Sequence, residues 1–398
     1  MYRQLGKRII LAAIVGLMGT EAFAQNDKID VANSDGVVIT YKYINGGKEL
    51  EVAKVRHKGH VTIPEEVTFM NRSRKVTSIG KSALSGPGVT SVSIPNTVTS
   101  IGEMAFSNCW TLKSITFPSS VTTIGKQAFQ SCIGLTSITI PSNVESIGYD
   151  AFCQCDGLTS LTICDGVKEI GESAFRLCTG LTSVTVPKSV IEMGSHVFNQ
   201  CKNLRSATIE SGVKKLGPCI FLKCPNLAHV ELGEGLTRIS ESAFEDCENL
   251  KSIVIPQSVT KIEKDAFSRS GLTAITIPKS VGTIELYAFC DCKNLKSVEI
   301  SNGVHTIEDC AFKNCSGLTS ITLPSSLSTI GYQAFDGVDL STVISLIVNP
   351  MPLKGKSNYF SVNTFNNATL YVPAGSLNKY KVCAGWERFM FIEEGTGK

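Results

Sequence analysis

The sequence predicts a mainly β fold, a right-handed solenoid of about twelve coils with a β-hairpin cap before it and a mixed α and β cap after it. The first observation is a period of 23 residues, which separates the valine or leucine that opens each unit from Val98 to Val259. The second is a fixed pattern within the unit, V-x-x-I-G-x-x-A-F-x-x-C-x-x-L-x-S-I-x-I-P. The third is a strand-like alternation at the end of each unit. Repetition of one short unit over most of a chain indicates stacked coils, which present a long surface.

Each segment of the unit predicts its own local structure. In the segment that holds Leu112, Ile115 and Phe117, inward apolar residues alternate with outward polar ones, which predicts a short strand with one buried face. The proline that follows ends the strand because it has no amide to donate. The V-x-x-I-G segment predicts a second extended piece that bends at its glycine, and A-F-x-x-C predicts a tight turn. A unit of this length and pattern is typical of a leucine-rich-repeat solenoid.

The first 24 residues have the pattern of an export signal. Arg3, Lys7 and Arg8 form a basic segment, residues 9–17 are apolar, and Ala22-Phe23-Ala24 matches a signal-peptide cleavage site. An N-terminal membrane anchor is the alternative interpretation, but the apolar run is short for a span. No later stretch is apolar enough to cross a bilayer. We therefore expect a soluble, exported mature chain that is secreted, periplasmic or held on the outer cell surface.

The period also gives the boundaries within one elongated domain. Residues 25–75 lack it and predict an N-terminal β cap, in which Val37–Tyr43 and Leu50–Val55 pair across a turn at Asn45-Gly46-Gly47. Residues 76–348 form the predicted solenoid, whose unit before Val281 is one residue short.

Residues 349–398 predict a C-terminal cap. A strand is expected at residues 369–373 and a short helix at residues 375–381. Bulky side chains near the end of the chain are expected to plug the open end of the stack. These are Tyr380, Trp386, Phe389, Phe391 and Ile392.

Most of the 15 cysteines follow the period. Nine of them, called the ladder cysteines below, lie three residues after the phenylalanine of their unit: Cys109, Cys132, Cys155, Cys178, Cys201, Cys224, Cys247, Cys292 and Cys315. Such a position predicts a buried thiol that fills space and hydrogen-bonds weakly to the turn backbone. Disulfides between neighbouring coils are the alternative, because the coil spacing of about 4.8 Å lies near the lower end of disulfide Cα separations. Serine and valine replace the cysteine in two units, which favours reduced thiols.

Catalysis, metal binding and nucleic-acid binding are not indicated. The two C-x-C pairs, at Cys153-x-Cys155 and Cys290-x-Cys292, are six coils apart and cannot share a zinc ion. The five histidines have no recurring partner, and no phosphate loop or nucleophile elbow is present in the sequence. The formal net charge is only +3, and the basic residues are scattered. We expect a protein that is not an enzyme and that needs no cofactor or metal.

The unit resembles that of the BspA-like class of bacterial leucine-rich repeats. The match to I-G-x-x-A-F-x-x-C-x-x-L-x-S-I-x-I-P extends over at least nine coils, and the ending Leu370-Tyr371-Val372-Pro373-Ala374-Gly375 is similar to the terminal segment of such proteins. The resemblance implies a solenoid and an exported protein. Some members are surface adhesins that bind host matrix proteins such as fibronectin and fibrinogen, or engage innate receptors.

Breaks in the repeat give the candidate binding residues. Most outward positions of the long strands carry serine or threonine, whereas a few neighbouring coils do not. We expect a ligand to contact the residues that interrupt or flank the hydroxyl rows: His229, Glu231, Lys251, Val254, Lys296 and Glu299. Trp110 replaces variable residues of other coils, so it is expected either to be exposed as a contact residue or to pack on the N-terminal cap.

Two functions stay open on the sequence. The first is an exported surface or secreted protein that recognises other proteins, with adhesion to host matrix or receptor proteins as its form. The second is a carbohydrate-binding or envelope-scaffold protein without a host ligand. The ligand, the mode of attachment and the oligomeric state are not encoded in any recognisable motif.

Overall fold

The chain folds into a β-solenoid of about 15 turns with a spacing of about 23 residues. A computed structural model describes residues 27–353 and 358–395. The predicted export signal and residues 396–398 lie outside these residues. Each regular coil contributes a long strand, a two-residue strand and the turn that carries the A-F-x-x-C segment. The predicted solenoid is thus confirmed, with about three more turns than the period indicates.

The additional turns come from segments that lack the repeat pattern but stack like coils. At the N-terminal end, β2 and β3 form the predicted antiparallel hairpin, while β3 and β4 pair in parallel with β6 and β7. The hairpin therefore leads directly into a first coil. The strands of this region are β1 Lys28–Ala32, β2 Val38–Ile44, β3 Glu49–Val55, β4 Gly59–Thr62, β5 Glu66–Phe69, β6 Arg72–Ile79 and β7 Val89–Ser93, with a 3-10 turn at Asn45–Gly47.

The long strands pair in parallel and in register along one face of the stack. Ser137 pairs with Ser160, for example, and Thr139 with Thr162. The pairing is divided into short sheets, β10-β12, β14-β16-β17, β20-β22 and β24-β26-β27-β28. The long strands of the repeat are β10 Ser137–Ile140, β12 Ser160–Ile163, β14 Ser183–Val186, β16 Ser206–Ile209, β17 His229–Leu232, β20 Ala274–Ile277, β22 Ser297–Ile300, β24 Ser320–Leu323 and β26 Thr342–Ser345.

The V-x-x-I-G segments form a second row of parallel strands, each two residues long. Their glycines allow close stacking, because a Cβ on Gly148 would lie 2.6 Å from the carbonyl carbon of Gly125. These strands are β8 Ser100–Ile101, β9 Thr123–Ile124, β11 Ser146–Ile147, β13 Glu169–Ile170, β15 Glu192–Met193, β18 Arg238–Ile239, β19 Lys261–Ile262, β21 Thr283–Ile284, β23 Thr306–Ile307 and β25 Thr329–Ile330.

The core is a continuous stack of phenylalanine rings. From Phe106 to Phe360, neighbouring rings lie nearly parallel with centroids 4.9 to 5.7 Å apart. This is the offset stacking that aromatic pairs favour. Each ring is fully buried, so the phenylalanine of one coil supplies the packing surface for the next.

The ladder cysteines are all buried, as predicted. The thiol of Cys155 donates to the carbonyl of Phe129 on the preceding coil, with an Sγ to O distance of 3.2 Å. The other ladder thiols make the equivalent bond at 3.0 to 3.3 Å. The predicted hydrogen bond to the turn backbone is therefore confirmed. Reduction of these thiols in solution stays a prediction.

Two residues of nearly every turn adopt left-handed backbone angles, which the sequence pattern did not reveal. They precede the alanine and the ladder position, with φ between 52° and 61°, as in Gln127 and Ser131. At Leu177 a bulky side chain occupies this region, which disfavours side chains other than those of glycine and asparagine. The turn is fixed by hydrogen bonds to both neighbouring coils.

The C-terminal segment closes the end of the stack largely as predicted. It contains α1 Val362–Asn367, β27 Thr369–Val372, α2 Leu377–Val382, a 3-10 turn at Trp386–Arg388 and β28 Phe391–Glu394. Tyr380, Trp386 and Phe389 are buried against Phe360. The prediction for Phe391 was wrong, because its position in β28 points outward and leaves it 51% exposed. Ile392 is half-buried.

Candidate functional site

The outward positions of the long strands form a flat exposed surface along the stack, called the strand face below. It is built because alternate residues of a strand point to opposite sides, and the parallel register places equivalent residues side by side. Ser137, Thr139, Ser160 and Thr162 are exposed in this way. The strand face therefore carries rows of hydroxyl groups.

His229 and Glu231 interrupt these rows on β17. They lie opposite Ser206 and Thr208 of β16, and both are exposed. The hydroxyl of Thr208 donates to the carboxylate of Glu231 at 3.5 Å, which ties the acid to the preceding coil. Glu299 repeats this arrangement, since it accepts from Thr276 at 3.2 Å. The two carboxylates are thus held at defined places on the strand face.

Val254 lies on the coil that follows Glu231 and is 82% exposed. Residues 251–256 form no regular strand, although the amide of Thr273 still donates to the carbonyl of Lys251 at 2.9 Å. An apolar side chain this exposed loses nothing by contact with a partner and gains the burial of its surface. It is the most exposed of the predicted contact residues whose accessibility decides their role.

The two predicted lysines differ in their surroundings. The Nζ of Lys251 turns back to donate to the carbonyl of Glu248 at 2.9 Å. Lys296 is exposed on the next coil but one, and its amide donates to the carbonyl of Thr273. Together with His229, Glu231, Val254 and Glu299, these lysines span four successive coils, or about 14 Å at the usual strand spacing. We call these six residues the strand-face patch.

Trp110 does not belong to the strand-face patch. It lies on the loop after a ladder cysteine and is 51% exposed, and Ile133 occupies the equivalent place on the next coil with 47% exposure. The structure thus answers the question left open for Trp110 in favour of exposure. The apolar pair of Trp110 and Ile133 forms a separate surface near the N-terminal end.

A basic groove near the N-terminal end was not predicted from the sequence. It has a volume of about 430 Å³ and is lined by Lys54, Arg56, His57 and Lys58 on one side and by Pro87 on the other. The signal was available in the sequence as a run of four basic or imidazole side chains within five residues. The prediction that basic residues are scattered was therefore wrong for this segment.

The buried thiols offer no reactive chemistry. Burial raises the pKa of Cys224 to about 12 and that of Cys292 to about 11, so both stay protonated at neutral pH. A protonated thiol is a poor nucleophile and metal ligand. Within residues 27–353 and 358–395, no three His, Cys, Asp or Glu side chains are grouped to hold a metal ion. In the same part of the chain, no helix has the length and apolarity needed to span a membrane.

The family model described as the BspA type leucine rich repeat region (6 copies) matches residues 64–182, 168–296 and 283–371. The chain belongs to the BspA-type leucine-rich-repeat family. Solenoids of this family are typically non-enzymatic and suggest a surface for protein interaction. Comparison with curated proteins gives no match.

Two solved structures place the BspA-type chain among bacterial solenoids. A leucine-rich repeat protein from Bacteroides ovatus is 25% identical with a TM-score of 0.55, and the match covers 84% of this chain and 98% of that one. The pneumococcal vaccine antigen PcpA is 21% identical with a TM-score of 0.55, and the match covers 92% of this chain and 99% of that one. The likeness to PcpA concerns the fold alone.

Proposed function

We propose that this BspA-type protein is exported and recognises another protein through its strand face. The export-signal pattern of the first 24 residues supports export, and the shared fold with a pneumococcal vaccine antigen supports an extracellular place. Neither a catalytic constellation nor a cofactor is part of the proposal. Nucleic acid is not proposed as a partner, because the net charge is small.

Val254 is the observation that carries the proposal. Its apolar side chain is exposed at the centre of the strand-face patch, between the carboxylates of Glu231 and Glu299. An apolar centre with a polar and charged rim is the usual anatomy of a protein interface. A host extracellular matrix protein is the proposed partner, in keeping with the adhesins of the BspA-like class.

The test measures binding of the mature chain to immobilised fibronectin and fibrinogen by biolayer interferometry. Val254→Asp places an unpaired charge at the centre of the interface and is expected to weaken binding at least tenfold. Thr162→Asp is the matched control, because Thr162 is an exposed residue of the same face outside the strand-face patch. Equal affinities of the two variants, or no binding to either matrix protein, would contradict the proposal.

A further inference from the structure

The unit that begins at Val259 is short in one place only. Other units have two residues between the ladder position and the following leucine, as in Glu248-Asn249 and Lys293-Asn294. Here Gly271 alone separates Ser270 from Leu272. The missing residue therefore belongs to the exposed loop that follows the turn.

The shortened loop leaves an open groove of about 570 Å³ between the loops of the two neighbouring coils. We call it the notch. The preceding coil supplies one wall, the short coil the floor and the following coil the other wall, so the walls are two coil spacings, or about 10 Å, apart. The residues used below are Glu248 and Asn249 on the first wall, Gly271 on the floor, and Asp291, Lys293 and Asn294 on the second wall.

The floor of the notch is closely fitted. The amide of Gly271 donates to the carbonyl of Cys247 at 3.0 Å. A Cβ on Gly271 would lie 1.9 Å from the carbonyl oxygen of Glu248 and 2.9 Å from the Nζ of Lys251. Backbone sterics therefore require glycine here, and the Nζ of Lys251 lies beside the floor.

The notch interrupts a ladder of asparagine side chains. Asn226 donates to the carbonyl of Lys202 at 2.8 Å, and Asn249 donates to the side-chain oxygen of Asn226 at 3.3 Å. The next coil has Gly271 in place of an asparagine, so the Oδ1 of Asn249 accepts no hydrogen bond from the described residues. The amide of Asn294, on the far wall, likewise has no hydrogen-bond partner among them. A free acceptor and a free donor group thus line opposite walls of the notch.

The charges around the notch balance. The carboxylate of Glu248 and the Nζ of Lys293 form no ion pair within the described part of the chain, and they lie on opposite walls. Asp291 accepts hydrogen bonds from Asn314 at 3.1 Å and from the thiol of Cys290 at 3.3 Å. Arg269, at the edge, is engaged by Asp246 at 2.6 Å and by Glu245. A ligand of either charge would therefore meet a wall of its own sign.

The short coil is held firmly by its neighbours. Lys264 pairs with Glu241 of the preceding coil at 3.2 Å, and Lys261 pairs with Glu285 of the following one. Phe267 keeps its place in the aromatic stack, with centroids 5.3 and 5.2 Å from its neighbours. The notch is thus a preformed feature of the surface.

We propose that the notch binds one sugar unit of a neutral oligosaccharide. The vicinal hydroxyls of a sugar donate and accept hydrogen bonds, which matches the free acceptor on Asn249, the free amide on Asn294 and the unpaired charges of Glu248 and Lys293. The balanced charge favours an uncharged ligand. The lining includes no apolar side chain, whereas the anchors of protein interfaces are mostly aromatic residues or arginine. The saccharide site therefore differs from the protein-binding face in both position and chemistry.

The test screens the mature chain against an array of neutral oligosaccharides and titrates the hits free in solution by saturation-transfer NMR. Insertion of an asparagine between Gly271 and Leu272 restores the 23-residue unit, fills the notch and is expected to abolish binding. The double variant Asn249→Ala with Asn294→Ala keeps the groove open and is expected to weaken binding at least tenfold. Asn226→Ala is the matched control from the same ladder, expected to stay within twofold of the wild type.

Circular dichroism and melting curves establish that each variant is folded, and the double variant decides the question if the insertion does not fold. Failure of every array saccharide to bind, or unchanged binding by a folded insertion variant and by the double variant, overturns the proposal. Loss of fibronectin or fibrinogen binding in the notch variants, without any saccharide binding, would instead assign the notch to a protein partner. The Val254→Asp experiment is unaffected by all these outcomes, so the two proposals fail separately.

Discussion

Trp386 offers a direct test of how the aromatic plug stabilises the solenoid. Its side chain is fully buried, its ring lies 5.3 Å from Tyr380 and 6.1 Å from Phe360, and its Nε1 donates to the carbonyl of Met351 at 2.8 Å. Truncation of a buried aromatic residue to alanine costs about 3–5 kcal/mol. The carbonyl of Met351 also loses its donor, which adds about 1 kcal/mol. We therefore expect Trp386→Ala to lower the free energy of unfolding by about 4–6 kcal/mol.

Phe391 is the matched control, because it is an aromatic residue of the same cap that is 51% exposed. Full burial of such a side chain is worth about 2–3 kcal/mol, so Phe391→Ala should cost about 1 kcal/mol. The assay is urea unfolding, combined with hydrogen exchange read by mass spectrometry. Coils contact only their neighbours, so Trp386→Ala should raise exchange in residues 335–395 well before it affects residues 100–200. Equal destabilisation by the two variants, or uniform exchange along the chain, would refute the assignment of Trp386 as the plug.

Three further predictions concern the thiols, the turns and the N-terminus. Ladder thiols such as Cys224 have a pKa raised by burial from 9.0 to about 12, so stability should be constant below pH 9 and fall as pH rises towards 12, because the unfolded chain ionises first; thermal melts from pH 7 to 11 measure this, and a flat profile counts against buried thiols. Leu177→Asn should stabilise the fold by about 0.5–1 kcal/mol, since asparagine tolerates left-handed angles, whereas urea unfolding that shows a loss would mean that the Leu177 side chain packs usefully. Mass spectrometry of the secreted protein should find Gln25 as the first residue, and an intact Met1 would favour an anchor.

The period predicted the core well because stacking imposes the same environment on every coil. Phe129 and Cys132 are buried as expected, since any residue at an inward position of one coil must face its equivalents on the next. The N-terminal hairpin was predictable from Asn45-Gly46-Gly47, a local turn signal that needs no tertiary information. Such features follow from short-range pattern alone.

Other features depend on contacts that no local pattern reports. Nothing about Leu177 indicates a left-handed backbone, because the turn is imposed by hydrogen bonds to neighbouring coils. The register of β28 decides that Phe391 points outward, and this register is set by pairing with β27. The additional turns at the ends escaped notice because Phe360 continues the aromatic stack from a segment that lacks the rest of the unit.

The candidate site divides in the same way. Exposure of Val254 and Trp110 followed from their place in the repeat, but the repeat did not indicate that Lys251 folds back onto the carbonyl of Glu248. That contact arises only because the following coil is short and leaves the space beside Gly271 open. The position of a lysine head group is therefore a consequence of a deletion about twenty residues later.

Removal of one residue from a solenoid coil need not disturb its core. Phe267 stacks on both neighbours at the same separations as the other rings, and the amide of Gly271 keeps a hydrogen bond to the preceding coil. The whole effect of the deletion therefore appears on the surface, as a groove with an interrupted ladder at Asn249. Regular coils present nearly identical loops and cannot form such a concavity by changes of side chain alone. In this architecture a concave site for a small ligand requires a change in unit length, and the spacing of the repeat locates such a change directly in the amino-acid sequence.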